Sequence, residues 1–160
     1  MDRCDKKRVS SPLVRCSMKG SRCTMALRIF ISFAKEDARY RTLLVGQAKN
    51  RGVPFEFADM SVQEPYDSKW KTRCREKIKQ CDGFIVLLSK KTWRAEGARW
   101  EMNCAAEEGI PGIGIHIHED DKGSIPPELR GRVINWHWDS ITNFLNRVDS
   151  KRSFWDRLLS

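Results

Sequence analysis

The stretch LRIFISFAKEDARY, residues 27–40, decides the fold class of this chain. It begins with an apolar run of the residue types typical of strands, and this run ends on Ser32 and Phe33. A charged segment with helical spacing follows at once. In α/β proteins the ends of strands, where the chain turns into a helix, are where ligand sites are built. The stretch therefore indicates an α/β domain with a site after its first strand.

The same alternation of strand and helix continues along the chain. The predicted strands are 26–33, 53–59, 83–89, 112–118 and 133–136, and the predicted helices are 36–52, 69–81, 95–109 and 139–148. The run GFIVLLS is apolar throughout, as expected for a central strand that is covered on both faces. This order predicts a doubly wound sheet of about five parallel strands with helices on both faces. One interpretation of FWDRLL, residues 154–159, is a further turn that docks on the body.

The positive charge is concentrated at the amino terminus. Residues 1–24 hold seven Lys and Arg and two Asp, so they carry +5 of the net charge of +9. This segment is polar and unpatterned, and we interpret it as a disordered tail or an N-terminal extension ahead of a single domain at 25–160. The +4 that remains on the domain is an ordinary surface excess, so we do not expect nucleic acid as a partner. A tail that anchors nucleic acid stays a weaker alternative.

The composition also indicates in which compartment the protein is found and whether it has a metal site. No stretch approaches the roughly 18 apolar residues that a membrane span needs, and the N-terminus lacks the apolar segment of a signal peptide. We therefore expect a cytoplasmic protein whose six cysteines are reduced thiols. No Cys/His spacing matches a zinc site. His116 and His118 point to one side of a predicted strand, either as two ligands of a metal site or, as we favour, as partly buried hydrogen-bonded imidazoles.

Several chemistries that use this fold are excluded by the residues at the strand ends. A phosphate-receiving regulator needs clustered acids after the first strand and an aspartate after the third, where this chain has Phe33 and Ser89. The glycine cluster GIPGIG precedes a strand instead of following one, so it is not a dinucleotide fingerprint. No phosphate-binding P-loop and no nucleophile elbow G-x-S-x-G is present.

Four blocks of the sequence carry a resemblance to a known family. RIFISFAKEDARY, GVPFEFADMS, CDGFIVLLSKKTW and RWEMNCAAEEGIPGIGI occur in the order and spacing of a TIR domain. More closely, they resemble the TIR-like family of bacterial Thoeris antiviral systems, whose members have a flavodoxin-like fold. The resemblance extends from about Leu27 to about Phe144, which is most of the chain outside the tail.

The resemblance implies an enzyme that consumes NAD⁺ as its substrate and needs no cofactor. Thoeris TIR-like proteins cleave the bond between nicotinamide and ribose, and they form a cyclic ADP-ribose-type signal. This diffusible nucleotide reaches a downstream effector protein. Other TIR domains are adaptors, so a non-catalytic module that assembles with other proteins is the alternative function. Self-association is expected in either case.

The resemblance also implies site residues. The catalytic carboxylate of the family is an early glutamate in the helix after the third strand, which is Glu101 here. At the strand ends, Ser32 and Phe33 are candidates to contact phosphate, ribose or a ring of the substrate, and local turn or core roles are the alternatives. The loop after the second strand borders the pocket in TIR domains. Candidates of the same kind near the pocket are Asp59, Ser61 and Trp93.

A single carboxylate is sufficient for the cleavage of nicotinamide from NAD⁺. Loss of nicotinamide leaves positive charge on the ribose, in a transition state like that of glycoside cleavage. A carboxylate on that face stabilises the charge as it develops. Nicotinamide leaves as a neutral molecule and needs no general acid. A glutamate early in a helix also suits the helix dipole, so a structural role for Glu101 is the alternative.

One position departs from the pattern. TIR enzymes commonly carry a tryptophan four residues before the glutamate, and this chain has Gly97 there. Trp100 lies directly before Glu101 instead. The packing around the start of this helix must therefore differ from that in other TIR enzymes.

Overall fold

The computed structural model describes residues 26–53, 55–59, 69–120 and 122–159. Within them, five strands form a single parallel sheet in the order β2-β1-β3-β4-β5. The strands are β1 Leu27–Ser32, β2 Phe55–Ala58, β3 Gly83–Leu88, β4 Gly112–His116 and β5 Val133–Asn135. The helices are α1 Ala38–Asn50, α2 Trp70–Lys79, α3 Glu96–Glu107 and α4 Trp138–Leu159. The predicted flavodoxin-like α/β fold is confirmed.

Two apolar layers hold the sheet between the helices. On one face Ile29, Ile31 and Ile85 pack with residues of α1 and α4, such as Leu44 and Leu145. On the other face, Phe30 and Phe84 pack with residues of α2 and α3 that include Cys74, Ile78 and Met102. The alternation follows from the two-residue period of a strand, which directs successive side chains to opposite faces. Because β3 is buried at all six residues, it forms the centre of the domain, as predicted from its apolar run.

The strand order defines the position of the site. β1 lies between β2 and β3. The connection from β1 to β2 and the connection from β2 to β3 therefore run in opposite directions along the sheet. Parallel sheets of this kind bind ligands at the carboxyl ends of the strands where the winding reverses. Here those ends are Ser32 of β1 and Leu88 of β3, followed by Ser89.

The last helix differs from the prediction. α4 runs without interruption for 22 residues, so FWDRLL continues it instead of forming a separate turn. Phe154, Trp155, Leu158 and Leu159 are exposed, so this segment does not dock on the body of the domain. None of the helices in the described ranges is both long and apolar enough to span a bilayer.

Candidate functional site

The carboxyl group of Glu101 lies against the end of β1. Ser32 is the last residue of β1, and it faces α3 because it has the same strand parity as Phe30. Its hydroxyl donates a 2.5 Å hydrogen bond to Oε2 of Glu101, in the second turn of α3. Both side chains are buried, and Glu101 is only 5% exposed. The structure thus brings together two of the predicted site residues, 69 positions apart.

Cys74 of α2 contacts the other oxygen of the same carboxyl group. Its thiol donates to Oε1 of Glu101 over 3.8 Å, a weak hydrogen bond. Burial, together with the nearby carboxyl, raises the pKa of the Cys74 thiol, so it stays protonated and able to donate. Trp70, Cys74 and Ile78 recur every four residues, which predicts a buried stripe on α2, and all three are buried there. The contact of Cys74 with Glu101 depends instead on how α2 and α3 pack. No pattern in the sequence predicts that contact.

Burial has the largest effect on the pKa of Glu101. It raises the pKa of this carboxyl group from its ordinary value of 4.5 to about 8, because water cannot solvate the charged form. The hydrogen bonds from Ser32 and Cys74 lower the pKa, and the nearby negative charge of Asp59 raises it. Near pH 7 in this state, Glu101 is mostly a neutral acid that is close to losing its proton.

This shift predicts how stability depends on pH. The folded chain binds the Glu101 proton more tightly than the unfolded chain. The stabilising contribution of Glu101 is therefore complete below about pH 4.5 and is lost as the pH rises through about 8. Glu101→Gln has no such proton, so the melting temperature of the wild type should fall relative to the variant between pH 5 and pH 9. Thermal unfolding of both proteins across this range measures the difference, and a constant difference would contradict the shift.

Asp59 lies directly after β2 and is half-buried. Its carboxylate forms an ion pair with the guanidinium of Arg41, at 2.5 Å from Nε, and this places a fixed charge beside α1. The influence of Asp59 on the pKa of Glu101 shows that the two carboxyl groups lie in the same region. Ser61, the other candidate in this loop, lies outside the described residues.

Phe33 and Trp93 lie apart from the Ser32–Glu101 pair. Phe33 packs against the apolar layer under α1 and α4, on the opposite face of the sheet from Glu101. Trp93 lies in a 3₁₀ turn after β3 and is 44% exposed. The guanidinium of Arg99 stacks over its ring at 4.9 Å. A substrate role for either residue stays a prediction.

A polar crevice lies at the same edge of the sheet, on the α1 side. Asp37 is buried there and accepts a 2.6 Å hydrogen bond from the hydroxyl of Ser89, which follows β3. A cavity of about 320 Å³ adjoins this pair, and its basic lining residues are Arg39, Lys90 and Lys91. Asp37 is not predictable as a site residue, because one acid near the start of a helix is ordinary.

Comparison with known proteins identifies the family. Residues 30–122 match the family model described as "Thoeris protein ThsB, TIR-like domain". The chain belongs to this family. No curated protein matches the chain.

Three solved structures are similar to this TIR-like domain. The TIR domain of the Toll-related receptor TRR-2 from Hydra magnipapillata is 14% identical, with a TM-score of 0.52 over 80% of this chain and 95% of the other. A prokaryotic SEFIR domain is 14% identical, with a TM-score of 0.49 over 78% and 97%. A diflavin flavoprotein A3 from Nostoc sp. is 15% identical, with a TM-score of 0.47 over 83% and 97%. At this identity, the likeness to the first structure supports the fold alone.

Gly97 occupies the position at which TIR enzymes commonly carry a tryptophan. Gly97 is buried in the first turn of α3. Trp100 packs against Trp70 of α2, with 5.3 Å between the ring centres. Arg75 stacks over Trp100 and also pairs with Glu107 and Glu108. The α2–α3 layer next to Glu101 is therefore fixed by an aromatic pair and an arginine.

The two histidines occupy different environments. His116 is buried, and burial lowers its pKa. His118 is half-buried, and its Nε2 lies 3.3 Å from the hydroxyl of Tyr40. No group of three or more potential metal ligands occurs among the residues with described positions. The interpretation of hydrogen-bonded imidazoles fits His118, whereas Nδ1 of His116 has no hydrogen-bond partner among the residues that the structure describes.

Proposed function

We propose that this TIR-like domain cleaves the nicotinamide–ribose bond of NAD⁺ and forms a cyclic ADP-ribose-type signal in antiviral defence. The observation that carries the proposal is the buried carboxyl group of Glu101, hydrogen-bonded to Ser32 at the carboxyl end of the central strands. The strand order places this edge where doubly wound sheets bind nucleotides. Membership of the Thoeris TIR-like family supports the reaction class.

The proposed mechanism uses the raised pKa of Glu101. The nicotinamide ring of NAD⁺ carries a positive charge, and a cation beside a buried carboxyl group favours loss of its proton. As the bond to nicotinamide breaks, its electron pair goes to the ring nitrogen and the positive charge moves to the ribose. The carboxylate then stabilises the ribose cation until water, or an atom of ADP-ribose itself, bonds to it. Ser32 holds the carboxyl group in position throughout.

The polar crevice beside the site suits the remainder of the substrate. The diphosphate of NAD⁺ is anionic, and the three basic residues of this crevice outnumber its two acids, Glu36 and Asp37. Glu101 itself is almost covered, so the side chains around it must move before a ribose can reach the carboxyl group. This requirement fits an enzyme that is silent until it self-associates or until infection activates it.

Nicotinamide release tests the proposed reaction. Concentrated purified protein is incubated with NAD⁺, and the products are identified by mass spectrometry. The proposal predicts nicotinamide together with ADP-ribose or a cyclised ADP-ribose that lacks one water. NAD⁺ that stays intact at every protein concentration, also in lysates of cells infected by phage, would contradict it.

Ser32→Ala should impair the reaction through Glu101. Without the hydroxyl donor the charged form of Glu101 loses a stabilising hydrogen bond, so its pKa should rise further. The pH at which nicotinamide release reaches half of its maximum should therefore move upward, with roughly a tenfold lower rate at pH 7. Ser150→Ala is the control, because that exposed hydroxyl donates to the carbonyl oxygen of Asn146 on α4 and lies outside the candidate site. An unchanged pH profile in Ser32→Ala would contradict the positioning role.

A second candidate function is a non-catalytic assembly module. The observation in its favour is that Ser32, Cys74 and Glu101 join β1, α2 and α3 through a buried network, which is a sufficient structural reason for the glutamate. A module of this kind has no need to bind NAD⁺. Ligand-observed NMR with NAD⁺ and ADP-ribose separates the two functions, since saturable binding of either ligand to the wild type and to Glu101→Gln would exclude a pure scaffold.

A further inference from the structure

An apolar groove lies between α4 and the edge of the sheet formed by β4 and β5. It has a volume of about 400 Å³ and includes Pro111 and Gly112, at the amino end of β4. It therefore lies at the opposite end of the strands from Ser32. Its apolar walls come from both layers and consist of Ile113, Val133, Ile134, Phe144 and Val148.

The charged residues around this groove are all basic. Arg132, Arg147 and Lys151 line it, and no acidic residue does. Neither Arg147 nor Lys151 forms an ion pair within the part of the chain that the structure describes. Arg132 donates from Nε to the carbonyl oxygen of Leu129, which leaves its positive charge uncompensated. The groove thus combines an apolar interior with a rim of positive charge.

The groove continues along α4 beyond the body of the domain. Lys151 and Trp155 are four residues apart, so they lie on the same face of the helix as Val148. A second cavity of about 220 Å³ shares Pro111, Val148 and Lys151 with the groove and is also lined by Trp155. Its other lining residues are Asp156 and the ion pair of Asp82 with Arg152, so the uncompensated positive charge is confined to the groove itself. Phe154 and Trp155 are 54% and 49% exposed and pack against each other, with 5.7 Å between the ring centres. An exposed aromatic pair next to an apolar groove is typical of an interaction site.

We propose that this surface docks an acidic amphipathic helix of a partner protein. A helix that lies beside α4 would place apolar side chains, spaced three and four residues apart, in the groove. Its acidic residues would pair with Arg147 and Lys151 at the rim. Charge complementarity argues against a second copy of this chain, since its net charge is +9. An anionic bilayer would contact the aromatic pair, but its flat surface would leave the groove empty.

Selection from a random peptide library tests the chemistry of the occupant. A library of 16-residue peptides is displayed on phage and selected against the full chain. The proposal predicts enriched peptides with a net negative charge and apolar residues at helical spacing. Synthetic versions should bind with an affinity at least roughly tenfold lower for Arg147→Glu/Lys151→Glu, because the variant replaces attraction by repulsion. Failure to enrich such peptides, or enrichment without an acidic bias, would overturn the proposal.

A control variant and two further measurements distinguish the proposed helix from two other occupants, a second copy of this chain and an anionic bilayer. Lys49→Glu/Lys71→Glu makes the same change in net charge at exposed positions of α1 and α2, so peptide affinity should stay within about twofold of wild type. Both variants should keep the wild-type melting temperature, as all four side chains are exposed. A dimer in sedimentation that Arg147→Glu/Lys151→Glu abolishes would identify a second copy and contradict the proposal. Tighter binding to phosphatidylserine vesicles than to the selected peptides would also contradict it.

Discussion

Glu101→Gln should reduce nicotinamide release from NAD⁺ by roughly 100- to 1,000-fold, the usual cost of removing one group that stabilises transition-state charge. Glutamine has almost the same shape and can still accept the hydrogen bond from Ser32, but it cannot become an anion. The substitution therefore removes the charge that would face the ribose cation and leaves the packing around position 101 in place. Initial rates at saturating NAD⁺ measure the effect.

A control on the same helix makes this expectation specific. Glu96 is an exposed acid in the first turn of α3, one and a half turns before Glu101. Glu96→Gln removes a charge of the same kind without touching the network, so its rate should stay within about twofold of wild type. Equal activity of Glu101→Gln and wild type would disprove the catalytic role. Equal losses in both variants would point to the general charge of the helix instead.

Phe84→Ala should lower the free energy of unfolding by about 3–5 kcal/mol, because it leaves a cavity in the centre of the domain. Phe84 lies on β3, is 1% exposed, and stacks on Phe30 with 5.5 Å between the ring centres. α2 and α3 cover this pair, so little can move inward to fill the space. Urea unfolding monitored by tryptophan fluorescence gives the difference in free energy.

Leu43→Ala provides the reference for this loss. Leu43 is half exposed on α1, and truncating it removes little buried surface. The free energy of unfolding of the Leu43→Ala variant should stay within about 0.5 kcal/mol of wild type. A loss in Phe84→Ala no larger than that in Leu43→Ala would mean that the two aromatic rings do not form a packed core.

Much of the architecture could be predicted from the sequence because burial imposes simple patterns. GFIVLL is apolar at every position, as expected for a strand covered on both faces, and it forms the central strand β3. The buried stripe Trp70, Cys74 and Ile78 followed from the helical period of α2. The order of strands and helices then limited the fold to a doubly wound sheet.

The site was harder to predict, since it depends on contacts between distant elements. The proximity of Ser32 and Glu101 followed from the strand ends and the family pattern, but the donor Cys74 depends on the packing of α2 against α3. Phe33 packs on the other face of the sheet from Ser32, as the alternation of side chains along a strand predicts, and its role toward a substrate stays a prediction. FWDRLL has an apolar pattern that suits docking, but whether a surface receives it is decided by the rest of the fold.

The burial of Glu101 explains how one residue could serve both structure and catalysis. In its neutral form the carboxyl group fits a buried network that joins three elements, and burial holds its pKa at about 8. A cationic substrate would shift the same group to its charged form. Water solvates the buried carboxylate poorly, which makes its charged form unfavourable in the resting domain. Because of the same poor solvation, the carboxylate would stabilise a ribose cation strongly.

A crystal structure of Glu101→Gln soaked with NAD⁺ tests the central claim most directly. The variant retains the shape of the site and should not consume the ligand. We expect the side chain at position 101 within about 3–4 Å of the nicotinamide ribose, at the carboxyl ends of β1 and β3. NAD⁺ bound with its ribose more than roughly 8 Å from position 101, or absent at millimolar concentration, would contradict the account.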